Sequence, residues 1–232
     1  LILFAPNFRQ MGCDIAKEYC SRYPGSKVHA LCDGQYEVYK EIKSKLSKNL
    51  GQIWDFESEE KKWDFNKTHL NLNEIDKNLG SGYLAKLLIS DRRVGFGFIR
   101  GAYVRSDNVK NLISKNTLFY PQRYMGYLYN LINTILDESK PKVVFSYAVA
   151  SAVSLILADL CKLKGIQYST IKPTRINDYF FIDDTYNTKF NVIEKKFLKQ
   201  KDTINYKFSE TTNQFYSNFI NSPSMPDYQI KK

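Results

Sequence analysis

The stretch that most constrains the fold runs over residues 141–178. After Pro141 comes the short apolar run Val143-Val144-Phe145, then small residues from Ser146 to Ser151. Residues 152–163 are apolar on almost every side until Gly165 ends them. A buried strand, a tight turn, a buried helix with a glycine stop and a second strand over residues 166–171 make the pattern of a βαβ unit. Two parallel strands joined by a helix on one sheet face demand the right-handed crossover of an open α/β domain. The segment Lys172-Pro173-Thr174-Arg175-Ile176-Asn177-Asp178 then leaves the carboxyl edge of that sheet, where open α/β sheets bind their ligands.

The opening of the chain repeats the theme. Residues 1–5 are continuously apolar, as in a strand buried on both faces, and Pro6-Asn7 breaks them. A loop over residues 8–12 precedes a helix whose stripe is Ile15, Tyr19 and Tyr23 with Ala16 and Cys20, ended by Pro24-Gly25. Residues 28–32 read as a second strand, residues 35–48 as a helix with Tyr36, Tyr39, Ile42 and Leu46 inward, and residues 53–56 as a third strand. Residues 57–78 are polar and weakly periodic, which predicts a surface excursion, and residues 74–88 are helical with an interruption at Gly80-Ser81-Gly82. Tyr124, Leu128, Leu131, Ile132, Ile135 and Leu136 form a helical stripe that delivers the chain into the βαβ unit. Residues 179–182 are a further short strand. The predicted organisation is one α/β domain with a mainly parallel sheet over residues 1–185, and a charged helical extension with a loose tail over residues 186–232.

Three places in this pattern carry chemistry. Gly12-Cys13-Asp14 stands at the mouth of the first helix, where Asp14 serves either as a cap or as a site carboxylate. Ser90-Asp91-Arg92-Arg93 opens a run with three arginines and three glycines between residues 89 and 101. Guanidinium forks suit carboxylate and phosphate groups, although an arginine-rich surface turn is the plainer reading. Thr174, Arg175 and Asp178 follow the second strand of the βαβ unit. A dinucleotide cofactor is disfavoured, because the first loop holds one glycine, Gly12, where a pyrophosphate needs three.

Composition excludes several classes. The 232 residues are 43% hydrophobic and 25% charged, ordinary for a globular protein. The net charge of +10 implies attraction to anions, yet no nucleic-acid motif accompanies it, and the lysines spread over helical surface patterns. Four cysteines, Cys13, Cys20, Cys32 and Cys161, form no Cys-x-x-Cys pair, and with His29 and His69 as the sole histidines a zinc centre is not expected; buried free thiols are. No run reaches the roughly 18 apolar residues of a membrane span. The chain begins with Leu, so a preceding piece or a removed targeting signal is compatible with it.

Residues 141–147, the turn Ala148-Val149-Ala150-Ser151, and above all the run from Lys172 to Asp184 resemble bacterial surface-polysaccharide (capsule) biosynthesis proteins. These look like the amino-terminal half of GT-B type glycosyltransferases. Phe8-Arg9-Gln10-Met11-Gly12-Cys13-Asp14 and Ser90-Asp91-Arg92-Arg93 fit the same impression, so the resemblance covers roughly residues 1–185. Asn177 stands where that family usually has glycine.

The resemblance implies a Rossmann-like, three-layer acceptor-side domain. Its activity would be transfer of a sugar from a nucleotide-sugar to a glycan acceptor, in the cytoplasm or at the inner face of the membrane, with no metal or other cofactor. It implies Asp14, Asp91 and Asp178 as candidate bases, and Arg9, Gly12, Arg92, Arg93, Ser146, Ser151, Thr174 and Arg175 as substrate contacts. The donor-binding half would lie elsewhere, as a second GT-B domain in the same or another chain. The partners would be the nucleotide-sugar and the glycan, with peripheral membrane association compatible and no specific nucleic acid. The rival expectation is a non-catalytic binding or scaffold subunit of a polysaccharide assembly or export system.

Overall fold

The computed structural model describes residues 2–4, 9–32, 36–64, 72–91, 119–147, 152–173, 180–185, 190–201 and 207–222. The strands are β1 (Ile2–Phe4), β2 (Val28–Cys32), β3 (Leu50–Asp55), β4 (Val143–Tyr147), β5 (Gln167–Pro173) and β6 (Phe180–Asp183). The described helices are α1 (Arg9–Arg22), α2 (Tyr36–Leu46), α3 (Phe56–Lys62), α4 (Leu72–Leu79), α5 (Tyr83–Ser90), α6 (Phe119–Ser139), α7 (Ala152–Leu163), α8 (Asn191–Gln200) and α9 (Glu210–Asn221).

The strands form one sheet in the order β3-β2-β1-β4-β5-β6. The first five run parallel and β6 is antiparallel to β5. The chain therefore moves outward from β1 through β2 to β3, then returns to β1's other side and moves outward again through β4 and β5. Strand order reverses between β1 and β4, and open α/β sheets bind their ligands outside the carboxyl ends of strands at such a reversal.

Side chains alternate across the sheet, as a period of two requires. Val28, Ala30, Cys32, Phe145 and Ile171 join Cys13, Ala16 and Cys20 of α1 and Ile42 and Leu46 of α2 in one core. Leu31, Trp54, Val144 and Tyr168 face the other way, into a larger core built by α4, α5, α6 and α7. Helices thus cover both faces, and strands buried on both sides explain why residues 143–145 read as an unbroken apolar run and residues 28–32 as one broken only at half-buried His29.

Several expected boundaries move. Helix α1 begins at Arg9, so residues 9–12 are helical rather than loop, and Asp14 sits in the second turn, not at the cap. The strand expected over residues 53–56 is β3, which starts at Leu50, and Phe56 opens helix α3. Asp55 caps α3, its Oδ2 accepting from the Ser58 N–H at 3.2 Å. Residues 57–62, expected in a surface excursion, are therefore helical. The glycine stop of α7 is as expected: Ile166 N donates to Cys161 O at 2.8 Å and Gly165 N to Lys162 O at 3.3 Å, with Gly165 at φ +66°. That pair of bonds is the Schellman motif, which needs a left-handed residue.

Candidate functional site

The carboxyl edge of the sheet is assembled from strand ends and the helix starts that follow them. Helix α6 descends to the start of β4, so its first turns stand at the carboxyl edge; α3 stands there because it continues β3 directly. Two clusters result, both on the side of the larger core.

The first lies beyond β3. Phe56, Glu60 and Trp63 recur at i, i+4 and i+7, which puts them on one helical face. Glu60 is 3% exposed and accepts a short hydrogen bond from the Tyr124 hydroxyl. Trp63 stacks on Tyr127, with ring centroids 4.9 Å apart and planes 21° apart. Tyr124 adds a tilted contact to Trp63 at 5.9 Å. The Tyr127 hydroxyl is shut off from solvent and has no hydrogen-bond partner among the described residues. Burial, then the Glu60 and Glu59 carboxylates, push its ionisation well above the ordinary phenol range. The sequence signal for this cluster was present in the 56–60–63 spacing, but a glutamate at its centre disguised the face as polar.

The second cluster spans β4, β5 and β6. Ser146 is fully buried near the end of β4, opposite Thr170 of β5. Lys172 Nζ lies 2.6 Å from Asp183 Oδ2 and 3.3 Å from Thr185 Oγ1. Burial opposes ionisation of Asp183, but the Lys172 hydrogen bond and the Asp184 N–H outweigh it and hold the carboxyl below its usual range. Asp91 is 1% exposed and its Oδ2 accepts the Ala152 N–H at 2.6 Å. A carboxylate on the first residue of α7 satisfies an orphan donor and complements the helix dipole.

The expected site residues therefore divide. Asp91 and Ser146 belong to the second cluster. Asp14 is separate: it is exposed, 3.6 Å from Lys45 Nζ, and lines a cleft of about 1180 Å³ over the opposite sheet face with Ile15, Tyr19, Val143, Phe145 and Ile182. The polar and aromatic clusters described above stand instead at the carboxyl edge. Arg9 is the first residue of α1, and Gly12 is buried within that helix. Arg92, Arg93, Ser151, Thr174, Arg175 and Asp178 lie outside the described residues.

Among the described residues no three His, Cys, Asp or Glu side chains converge as a metal site requires. All four cysteines are buried and unbridged. No described helix is long and apolar enough to cross a membrane. No protein-family model, curated protein or solved structure matches the chain.

The edge as a whole offers a flat indole–phenol stack, a buried carboxylate hydrogen-bonded to a phenol, a buried lysine–carboxylate pair between β5 and β6, and a carboxylate on a helix start. Aromatic faces of this kind suit the apolar face of a sugar ring.

Proposed function

We propose that the chain is the acceptor-side, Rossmann-like domain of a GT-B type glycosyltransferase of surface-polysaccharide synthesis. The observation that carries the reading is the strand order 3-2-1-4-5-6, whose reversal between β1 and β4 marks where open α/β sheets bind ligands, on the same edge as the Glu60–Trp63–Tyr127 cluster and as Asp91, Ser146 and Lys172. In the reaction, an acceptor hydroxyl attacks the anomeric carbon of the nucleotide-sugar, the bond to the diphosphate breaks, and a carboxylate takes the hydroxyl proton. Asp178, in the segment that follows β5, is the preferred base. Asp91 is committed to the Ala152 N–H, and Asp14 stands over the other sheet face.

Trp63 provides the test, since Trp54 and Trp63 are the chain's two tryptophans. Titrating the protein with surface-polysaccharide oligosaccharides should change the fluorescence saturably, and Trp63→Phe should remove most of the change. Silence toward oligosaccharides and nucleotide-sugars alike would end the proposal.

A second reading, a non-catalytic scaffold subunit, draws on α8 and α9. Neither helix has a buried residue, and Phe197, Leu198, Phe215 and Phe219 are all exposed. Apolar surface of that kind is what a partner would cover. Oligosaccharide binding without any donor turnover, even beside a complete donor domain, would favour this reading.

A further inference from the structure

The opposite edge of the sheet carries a different signal. Each parallel strand after β1 is entered from a lysine: Lys27 precedes β2, Lys48 precedes β3, Lys142 precedes β4 and Lys164 precedes β5. Because these strands are parallel, all four lysines fall on the amino edge. Lys140 and Lys162 join them at the ends of α6 and α7. The carboxylates of this edge are few. Among the described residues Glu18 is taken by Arg22 at 2.7 Å and Asp137 by Lys164 at 2.6 Å, and Glu138 is exposed. Lys27, Lys48, Lys140, Lys142 and Lys162 make no ion pair among the described residues, and all five are exposed.

Part of this pattern has a local cause, since helix carboxyl ends gather at the amino edge and attract cations. That accounts for Arg22 and Lys162, which lie in last turns. It does not account for Lys27 and Lys142, which enter strands. Lys140 directly follows the last turn of α6, where the same cause operates, yet it holds the left-handed conformation at φ +41°, where glycine would be the unstrained choice. A cleft of about 630 Å³ brings Lys27, Lys140 and Lys142 together with Arg22 and Tyr23. Beside the lysines stand two exposed apolar side chains, Tyr23 at 57% and Leu163 at 55%.

We propose that this amino edge is a docking surface for a bilayer rich in anionic phospholipid. Unpaired lysines supply diffuse attraction to the headgroups, and Tyr23 and Leu163 enter the interface. A nucleic acid is the less suited anion. Among the described residues of this edge the cations without an ion pair are lysines rather than arginine forks, and an exposed leucine serves a bilayer better than a phosphate backbone. The inference does not rest on the transfer reading. It leaves the carboxyl-edge clusters facing away from the membrane.

The test is cosedimentation of the whole chain with vesicles of phosphatidylcholine, with and without a one-third share of phosphatidylglycerol. Binding is expected to the anionic vesicles alone and to vanish as salt rises from about 0.1 M to about 1 M. The triple variant Lys27→Glu/Lys140→Glu/Lys142→Glu should bind at least about 100-fold more weakly, at roughly fivefold for each positive charge lost and more for each negative charge gained. Lys195→Glu/Lys196→Glu/Lys199→Glu on α8 makes the same change in net charge and should bind like the wild type. Should the first triple fail to fold, as judged by circular dichroism, exposed Lys142→Gln alone is expected to lose about fivefold. Equal partition onto neutral and anionic vesicles, equal loss in both triples, or displacement from vesicles by a DNA duplex at matched salt would each overturn the proposal, the last assigning the edge to nucleic acid.

Discussion

Lys172 and Asp183 bind each other diagonally across the β5–β6 pair, 2.6 Å apart, with side chains 9% and 0% exposed. Removing one partner deprives the other buried charge of this counter-ion, at a cost of about 3–5 kcal/mol. Lys172→Met and Asp183→Asn should each show that loss in urea unfolding, while Lys172→Met/Asp183→Leu should lose less than either. The folded carboxyl titrates below its unfolded value, so its contribution is present above about pH 4 and disappears as pH falls through the folded value. Wild-type stability should drop across that acid window, and Asp183→Asn should drop less.

Asp91 is a stabilising cap before it is anything else. Its bond to the Ala152 N–H fixes the start of α7, the most thoroughly buried helix of the domain. Asp91→Ala should cost about 1–2 kcal/mol, and Asp91→Asn, which keeps an acceptor oxygen, less. Stability and activity falling together would confirm the cap role. Lost activity with unchanged unfolding would return Asp91 to the list of bases.

Legibility followed the source of each element's order. Residues 28–32 and 143–145 read as strands from sequence because burial on both faces leaves them apolar but for half-buried His29. The α7 glycine stop was legible because its bonds are local. Glu60 was not legible, since what makes it tolerable inside the protein is the Tyr124 hydroxyl, 64 positions away. The start of α1 was misjudged for a related reason: Asp14 resembles a cap in isolation, yet its ion partner is Lys45 on α2. Sequence indicates the edge where a site belongs, and the pairings across it come only from the fold.

Tyr127 offers a prediction of opposite sign. Its ring stacks on Trp63, but its hydroxyl is buried without a partner among the described residues. Tyr127→Phe keeps the stack and removes an unsatisfied group, so stability should be unchanged or rise by about 1 kcal/mol. A loss of that size in chemical denaturation would reveal a hydrogen bond from elsewhere in the chain. Tyr124→Phe, which deprives buried Glu60 of its donor, should by contrast cost about 1–3 kcal/mol.

The thiols should be inert. Burial raises Cys13 to about 11, with Glu41 contributing, and burial raises Cys161 to about 12. At pH 8 both are protonated as well as covered, and the thiolate is the reactive form. A thiol reagent should label neither in the native protein and all four cysteines after denaturation. Rapid native labelling of Cys161 would mean that α7 opens locally.

Lys140 and Gly165 occupy equivalent places, each the residue at which the chain turns left-handed after a helix, at φ +41° and +66°. Only Gly165 carries the residue type that conformation favours. Gly165→Ala adds a side chain that meets nothing within 4 Å, so its whole cost is conformational, about 1–2 kcal/mol. Lys140→Gly should gain about 1 kcal/mol, less than the full relief because glycine also loosens the unfolded chain. The same substitution removes one cation from the amino edge and should weaken binding to anionic vesicles about fivefold. A protein made more stable and less able to bind membranes by one change would separate the lysine's charge from any part in folding. Stability and vesicle binding rising together would show that the strained lysine is there for neither.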